Sequence, residues 1–307
     1  MRALKNADKV KSVHFLTKQT FKDLLIHNPY IDKVHLLGES FSTLLEELKA
    51  ESFDYLIDLH HNLRTWRVKR QLPCPAFSFD KYNWTKYKMT RFQTKGLAVP
   101  HIVQRYGDTL KSLQIPLDEG GLDFFLPESA ISSAKEQLQA SGMLRQIGDT
   151  LAIVLGASYQ TKRWIDSHFI QLIQSYQRPV LLLGGKDAQA EASKIEQAIN
   201  VPLFNVVGKV NILVAAAMMK ECGVVLTHDT GFMHIAAAFR MHIVSLWGNT
   251  VPEFGMTPYK SPHQILEVKD LSCRPCSKLG FDQCPKQHFN CMNQISPEQV
   301  LQALRKN

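Results

Sequence analysis

Short apolar runs recur along the second half of the chain at nearly regular intervals. They are LAIVLG (151–156), PVLLLGG (179–185), PLFNVVG (202–208), GVVLT (223–227), HIVSLWG (242–248) and ILEV (265–268). Runs this short and this continuous predict strands buried on both faces. Between them lie segments with apolar residues at three- and four-residue spacing, such as DSHFIQLIQSYQ and DAQAEASKIEQAI. That spacing predicts helices, each with its opening Asp as an N-cap. Alternating strands and helices imply a parallel sheet covered on both sides, a doubly wound Rossmann-like unit.

The first half follows the same theme less cleanly. Strands are expected at VHFLT (13–17), KVHLL (33–37), YLIDLH (55–60), FSF (77–79) and DFFLP (123–127), and helices at 18–26, 40–50, 62–71 and 102–114. A polar, Gly-punctuated stretch near 142–150 reads as a linker. It divides the chain into an N-terminal domain, 1–145, and a C-terminal domain, 146–307, with a Cys-rich tail and a final helix. Two such halves imply a cleft, with ligands beyond the carboxyl ends of the strands. The chain opens inside a helical pattern, MRALKNADKV, ahead of its first strand candidate.

Composition narrows the classes. Hydrophobic residues are 45% of 307, enough for packed cores and too many for general disorder. No apolar run approaches the roughly 20 residues of a membrane span, and the N-terminus lacks the apolar core of a signal peptide. The cytoplasm is therefore the expected location, at a membrane surface if the charge is used there. The net charge of +8 is uneven. Residues 60–95 hold nine Lys or Arg against one acid, Asp80, with aromatic residues interleaved. That stretch is either a solvated face with its aromatics turned inward or a surface for an anionic partner.

Five stretches carry candidate chemistry. In THDTGFMH, a strand turns into a helix through Thr227, His228, Asp229, Thr230 and Gly231. A helix start offers free N–H groups and the positive end of a dipole, both attractive to phosphate. Gly231 admits a ligand to the backbone, Thr230 adds a hydroxyl, Asp229 suits sugar hydroxyls, and His234 lies one turn along. A helix cap at Asp229 or Thr230 is the bland alternative. In GASYQTKRW, Ser158 sits in a small-residue turn and Lys162 and Arg163 bring positive charge, without the Gly-Lys-Ser/Thr ending of a P-loop. In LLLGGKDAQAE, Asp187 is placed either to meet a ribose or to cap a helix. In IDLHHNLRTWRVKR, Asp58, His60, His61, Asn62 and Arg64 follow a strand into a helix, and the adjacent His pair does not read as a metal site. Cys273, Cys276, Cys284 and Cys291 are a candidate zinc cluster, but six residues separate their second pair, outside the usual ligand spacing; the alternative is four reduced thiols.

LTHDTGFMHIAAAFRMHIVSLWGNTVPE resembles the signature of the glycosyltransferase family 9 heptosyltransferases: Asp229, Thr230, Gly231, His234, Ala236 and Ala237, then Gly248 and Thr250. GASYQTKRW, FDYLIDLHHNLRT, the CRPCSK tail and ISPEQVL are also similar to family segments. The resemblance implies a GT-B fold and inverting transfer of heptose from ADP-heptose to the lipopolysaccharide inner core, with no required metal. It implies diphosphate contacts at Ser158, Lys162, Thr230 and Gly231, sugar contact at Asp229, and ribose contact near Asp187. Arg64, with His61 beside it, would meet an anionic, lipid-linked acceptor at the cytoplasmic face of the inner membrane. Nucleic acid is not an expected partner, since no recognised motif supports it. The resemblance also places a catalytic Asp in a loop ahead of the helix with which this sequence opens. The expectation is a start assigned to an internal Met, with roughly two dozen residues (a strand, a loop and a turn of helix) upstream. The alternative is a non-catalytic protein that binds nucleotide sugar or glycolipid.

Overall fold

The computed structural model describes residues 1–38 and 40–306. The chain forms two compact units. The first comprises Met1–Asn83 and Pro100–Gly120, and the second Trp84–Val99 and Gly121–Asn307.

In the first unit, a short α1 (Arg2–Lys5) leads to β1 (His14–Lys18), β2 (Lys33–Leu37), α2 (Phe41–Ala50), β3 (Leu56–Asp58), α3 (Leu63–Gln71) and β4 (Ala76–Ser78). Strands β1 and β2 pair in parallel, and so do β3 and β4, as two separate two-stranded sheets. The apolar stripes of α2 and α3 supply a small core of Leu44, Leu48, Val68 and Leu72 against Leu37 and Leu56. The expected helix over 18–26 is instead a 3-10 turn, Gln19–Leu24. The helix expected over 102–114 ends at Asp108 and continues as a 3-10 turn.

After α4 (Asn83–Arg91) and α5 (Ile102–Asp108), the chain enters the rest of the second unit. It runs through α6 (Glu128–Ala140), β5 (Leu151–Val154), α7 (Asp166–Tyr176), β6 (Val180–Leu183), α8 (Gln189–Gln197), β7 (Leu203–Asn205) and α9 (Ile212–Lys220). It continues with β8 (Val224–His228), α10 (Gly231–Ala238), β9 (His242–Trp247), β10 (His263–Glu267), α11 (Asn290–Asn293) and α12 (Pro297–Arg305). Strands β5 to β10 form one parallel sheet in the order β10-β9-β8-β5-β6-β7. All six strands expected from the apolar runs of the second half are in it.

The sheet is covered on both faces. Leu151, Ile153, Val180, Leu182 and Leu226 pack with Phe169, Leu172 and Ile173 of α7, Ala192 and Ile195 of α8, and Val300 and Leu304 of α12. Their neighbours Ala152, Leu181 and Val225 are equally inaccessible and, by the alternation of a strand, turn to the other face. There α6, α9 and α10 pack together. This explains why seven of the nine residues of α9 are buried and why it lacks an amphipathic pattern.

DFFLP forms no strand; Phe124 is apolar because it meets Phe239 edge-on, at 5.7 Å between ring centroids. The boundary expected at 145/146 falls inside the second unit, because Ala130, Ala134 and Leu138 of α6 pack toward α9. The Asp caps also differ. Asp166 lies in the first turn of α7, after Ile165, and pairs with Lys194 at 3.1 Å. Asp187 lies in a 3-10 turn before α8.

Candidate functional site

The strand order reverses between β5 and β8, the two middle strands of the sheet. In open parallel sheets the crevice at such a switch point, outside the carboxyl ends of the strands, is where ligands bind. Two of the stretches singled out in the sequence leave the sheet there. Ser158 and Lys162 follow β5, and Asp229, Thr230 and Gly231 follow β8.

These loops are joined. Lys162 Nζ donates to Asp229 Oδ2 at 2.6 Å and to the Asp229 carbonyl at 3.3 Å. Thr250, in the turn after β9, donates its hydroxyl to the same carboxylate oxygen at 3.1 Å. Asp229 and Lys162 are 13% and 15% exposed, so the pair is shielded but reachable. An ammonium carries three N–H donors, so one of those on Lys162 remains beyond these two bonds.

The helix-cap alternative for the junction is answered by geometry. Thr230 occupies the N-cap position of α10 without a side-chain capping bond. The Asp229 carboxylate is turned to Lys162 and Thr250. The first N–H groups of a helix have no partner within it, so α10 presents donors at the sheet edge beside an exposed Gly231. A Cβ built on Gly231 would meet no atom within 4 Å. Packing of the protein itself therefore does not require glycine there.

Two of the five polar residues at this junction are internal. His228 is fully buried, and burial pushes its imidazole down to about 4. Its Nε2 accepts the Trp164 backbone N–H at 2.9 Å, which assigns the ring proton to Nδ1. Thr227 donates to the His228 carbonyl at 3.1 Å. His228 thereby holds the loop after β5 against β8, while Thr227 bonds within its own junction. His234 is half-buried one turn into α10.

Beside this edge, Asp187 pairs with Arg163 at 2.5 Å, and Arg163 also donates to the Ala157 carbonyl. Gly156 permits the approach. Its φ is +76°, and a Cβ there would lie 3.0 Å from the Ala188 Cβ and 3.1 Å from the Asp187 carboxylate. Glu191 lies 4.0 Å from Arg163. Burial first, and then the charges of Asp166 and Asp187, push its carboxyl up to about 7 in spite of Arg163. Neither Thr250 as the second partner of Asp229 nor Glu191 was expected. The Gly248–Thr250 turn in the motif signalled the first, but an isolated Glu inside a helix signals nothing.

In the first unit, Asp58 shapes the loop after β3. Burial alone would raise its carboxyl, but the N–H of His61, Lys69 and the N–H of His60 outweigh it and hold it at about 2. His61 adopts a left-handed backbone at φ +47° and faces the Phe79 carbonyl through Nδ1 at 3.3 Å. Asn62 caps α3 in a reciprocal box with Thr65, and Arg64 is exposed on the first turn. Asp58 is therefore a structural residue, with His61 and Arg64 displayed above it.

The four C-terminal cysteines are free thiols. Burial and the neighbouring thiols push Cys276 up to about 12, and burial pushes Cys291 to about 11. Among the described residues, no three of these sulfurs lie within 4.8 Å of one another. What ties this loop down is Arg274, which carries no signal of its own in the sequence. It is 8% exposed and donates to the carbonyls of Gly248, Trp247, Thr250 and Val268 and to the Glu267 carboxylate. It thereby holds the turn that carries Thr250.

The parallel sheet and the motif at its switch point define an α/β protein of the GT-B class. The chain belongs to glycosyltransferase family 9 (heptosyltransferase), whose family model matches residues 41–286. It is 30% identical over 159 residues to lipooligosaccharide heptosyltransferase 2 of Campylobacter jejuni, which covers 49% of each chain. It is 25% identical over 275 residues to lipopolysaccharide heptosyltransferase 1 of Pseudomonas aeruginosa, covering 85% of this chain and 72% of that one. The match thus spans about half the length of the Campylobacter relative. Among solved structures, the family 9 glycosyl transferase of Veillonella parvula superposes with a TM-score of 0.82 at 20% identity, covering 99% of this chain and 90% of that one. The ADP-heptose lipopolysaccharide heptosyltransferase II of Escherichia coli superposes at 0.71 and 19%, covering 99% and 92%. These likenesses establish the fold.

Proposed function

We propose that this protein is an inverting glycosyltransferase that moves heptose from ADP-heptose to the lipopolysaccharide inner core or a related acidic glycolipid. The observation that carries the reading is the Lys162–Asp229–Thr250 cluster at the start of α10, in a chain of the heptosyltransferase family. The donor diphosphate lies against the α10 N–H groups, the Thr230 hydroxyl and the Gly231 backbone, where the helix dipole and the remaining Lys162 donor favour negative charge. Ser158, exposed on the loop after β5, contributes a hydroxyl. Asp229, fixed by two partners, accepts from sugar hydroxyls, and His234 flanks it. Asp187, oriented by Arg163, accepts from the ribose. His61 and Arg64 meet the anionic acceptor. No residue of this set needs a metal to hold the diphosphate, and no cofactor is required.

Calorimetric titration with ADP and with ADP-heptose tests this directly. Both are expected to bind at one site, and Asp229→Ala is expected to weaken ADP-heptose more than ADP. The reading fails if neither nucleotide binds, or if Asp229→Ala leaves both affinities unchanged.

The lipid-linked acceptor implies contact with a membrane, and α4 has a face suited to it. Trp84, Tyr87, Lys88, Arg91 and Phe92 recur at helical spacing along one side. Trp84, Tyr87 and Phe92 are 65%, 43% and 63% exposed. Met89 turns inward to Val251 and Phe254. No helix among the described residues is long and apolar enough to cross a membrane. Aromatics interleaved with cations instead suit a helix lying in the headgroup layer of an anionic bilayer. Sedimentation is expected to show binding to vesicles rich in phosphatidylglycerol, and loss of it in the triple Trp84→Ala, Tyr87→Ala, Phe92→Ala variant. Equal binding by parent and variant would remove α4 from the contact.

A further inference from the structure

The first unit contains a second cluster of chemical groups, remote in sequence from the donor motif. In the β1–β2 register, His14 stands opposite Lys33, and His35 stands opposite Leu16. His14 and His35 are therefore diagonal neighbours on one face of the pair. His14 Nδ1 and His35 Nε2 are 3.0 Å apart. Glu51, just past α2, brings Oε2 to 3.8 Å from His14 Nδ1. One ligand atom from each of His14, His35 and Glu51 lies within 4.8 Å of the others. His35 is 1% exposed, His14 15% and Glu51 22%.

We propose that His14, His35 and Glu51 form a binding site for a divalent transition-metal cation of the zinc type. Two imidazole nitrogens and one carboxylate are the donor set of three-ligand zinc sites that leave a fourth position open. Ligands about 2.0–2.2 Å from one ion are separated by some 3–4 Å, and the 3.0 Å and 3.8 Å separations about His14 Nδ1 fall in that range.

The surroundings favour the same reading. His35 Nδ1 lies 2.7 Å from Glu47 Oε1. If Nδ1 donates its proton to that carboxylate, the lone pair of Nε2 points into the cluster. A carboxylate behind a ligating histidine is the arrangement that orients metal-bound imidazoles and raises their basicity. Phe53 stands edge-on to both rings, with centroids 5.2 Å from His14 and 6.1 Å from His35, and gives the site an apolar wall. Lys33 holds the other oxygen of Glu51 and so aims Oε2 inward. Without a cation, a neutral His35 whose Nδ1–H is given to Glu47 accepts Nδ1–H from His14 at Nε2. With one, His14 shifts its proton to Nε2, and both facing lone pairs serve the metal with no change in imidazole charge. The ion would clip β1, β2 and the end of α2 together, distinct from donor binding.

The test uses the full chain, stripped with chelator and titrated with Zn²⁺ and, separately, Co²⁺. One Zn²⁺ is expected to bind in Cys273→Ser/Cys276→Ser, a background that disables the other candidate cluster. Bound Co²⁺ is expected to show visible d–d absorption without a thiolate charge-transfer band. Glu51→Gln and His14→Gln, both at partly exposed positions, are expected to weaken Zn²⁺ binding, and Glu47→Gln should weaken it by about tenfold or more. Thermal unfolding and circular dichroism of each variant without metal separate a lost ligand from a lost fold. The proposal is overturned if the Cys variant binds no Zn²⁺, if Co²⁺ shows only thiolate ligation, or if folded Glu51→Gln and His14→Gln bind Zn²⁺ as the parent does.

Discussion

Gly231→Leu is expected to leave the fold intact and to weaken ADP binding by about tenfold or more, the effect of a 1–3 kcal/mol steric clash. Gly231 is the first residue of α10, and the space where its Cβ would stand is open to 4 Å. The leucine Cβ meets no protein atom at that point, and leucine is a better helix former than glycine by roughly half a kcal/mol or more. The melting temperature should therefore stay within about 2 °C of the parent, as for surface substitutions that disturb nothing. Any ligand resting on the α10 N–H groups, however, would have to share that space with four added carbons. Calorimetry with ADP and a thermal melt on the same preparation check both halves. Unchanged ADP affinity would mean that the diphosphate does not lie on α10. A fall in both quantities would mean that Gly231 serves the fold.

Arg274→Met should have the opposite signature, a large loss of stability. The guanidinium is buried and donates to four carbonyls, including Thr250 at 2.8 Å and Trp247 at 3.3 Å, and to Glu267 at 3.0 Å. Methionine fills much of the volume but leaves those acceptors, and a carboxylate only 9% exposed, without a donor. Removing one member of a buried ion pair costs roughly 3–5 kcal/mol. In a chain of this size that lowers the melting temperature by on the order of 10 °C. Arg274→Lys should recover only part of this, because a point charge with three donors cannot reproduce a planar fork with five. A melting temperature within about 2 °C of the parent would show that water or neighbouring side chains take over these acceptors. Since the same bonds hold Thr250 against Asp229, donor affinity should fall even at temperatures where the variant is folded.

Six apolar runs in the second half of the chain were legible as strands because a parallel strand buried on both faces needs nothing but apolar side chains, and that need is local. The motif from Asp229 to His234 was legible because a strand-to-helix turn rich in polar groups is itself a local pattern. DFFLP misled for the complementary reason. Phe124 is apolar to meet Phe239, and no periodicity distinguishes that from pairing in a sheet. Asp187 read equally well as a cap or as a site residue; its pairing with Arg163 was invisible because the two lie 24 positions apart. Cysteines drew the eye in the C-terminal loop, while its central residue, Arg274, belongs to a type that is almost never fully buried.

The sequence alone determined the alternation of strand and helix, the apolar cores of the second unit, and the polar edge with its family signature, because each is written in neighbouring residues. Only the tertiary structure decided which polar groups meet. Lys162 reaches Asp229 across 67 positions because β5 and β8 are neighbours at the reversal of strand order. His14 reaches His35 across 21 because β1 and β2 pair in one particular register. Strand order and register are set by the joint packing of every element in a unit, and contacts that depend on them cannot be read from any single stretch.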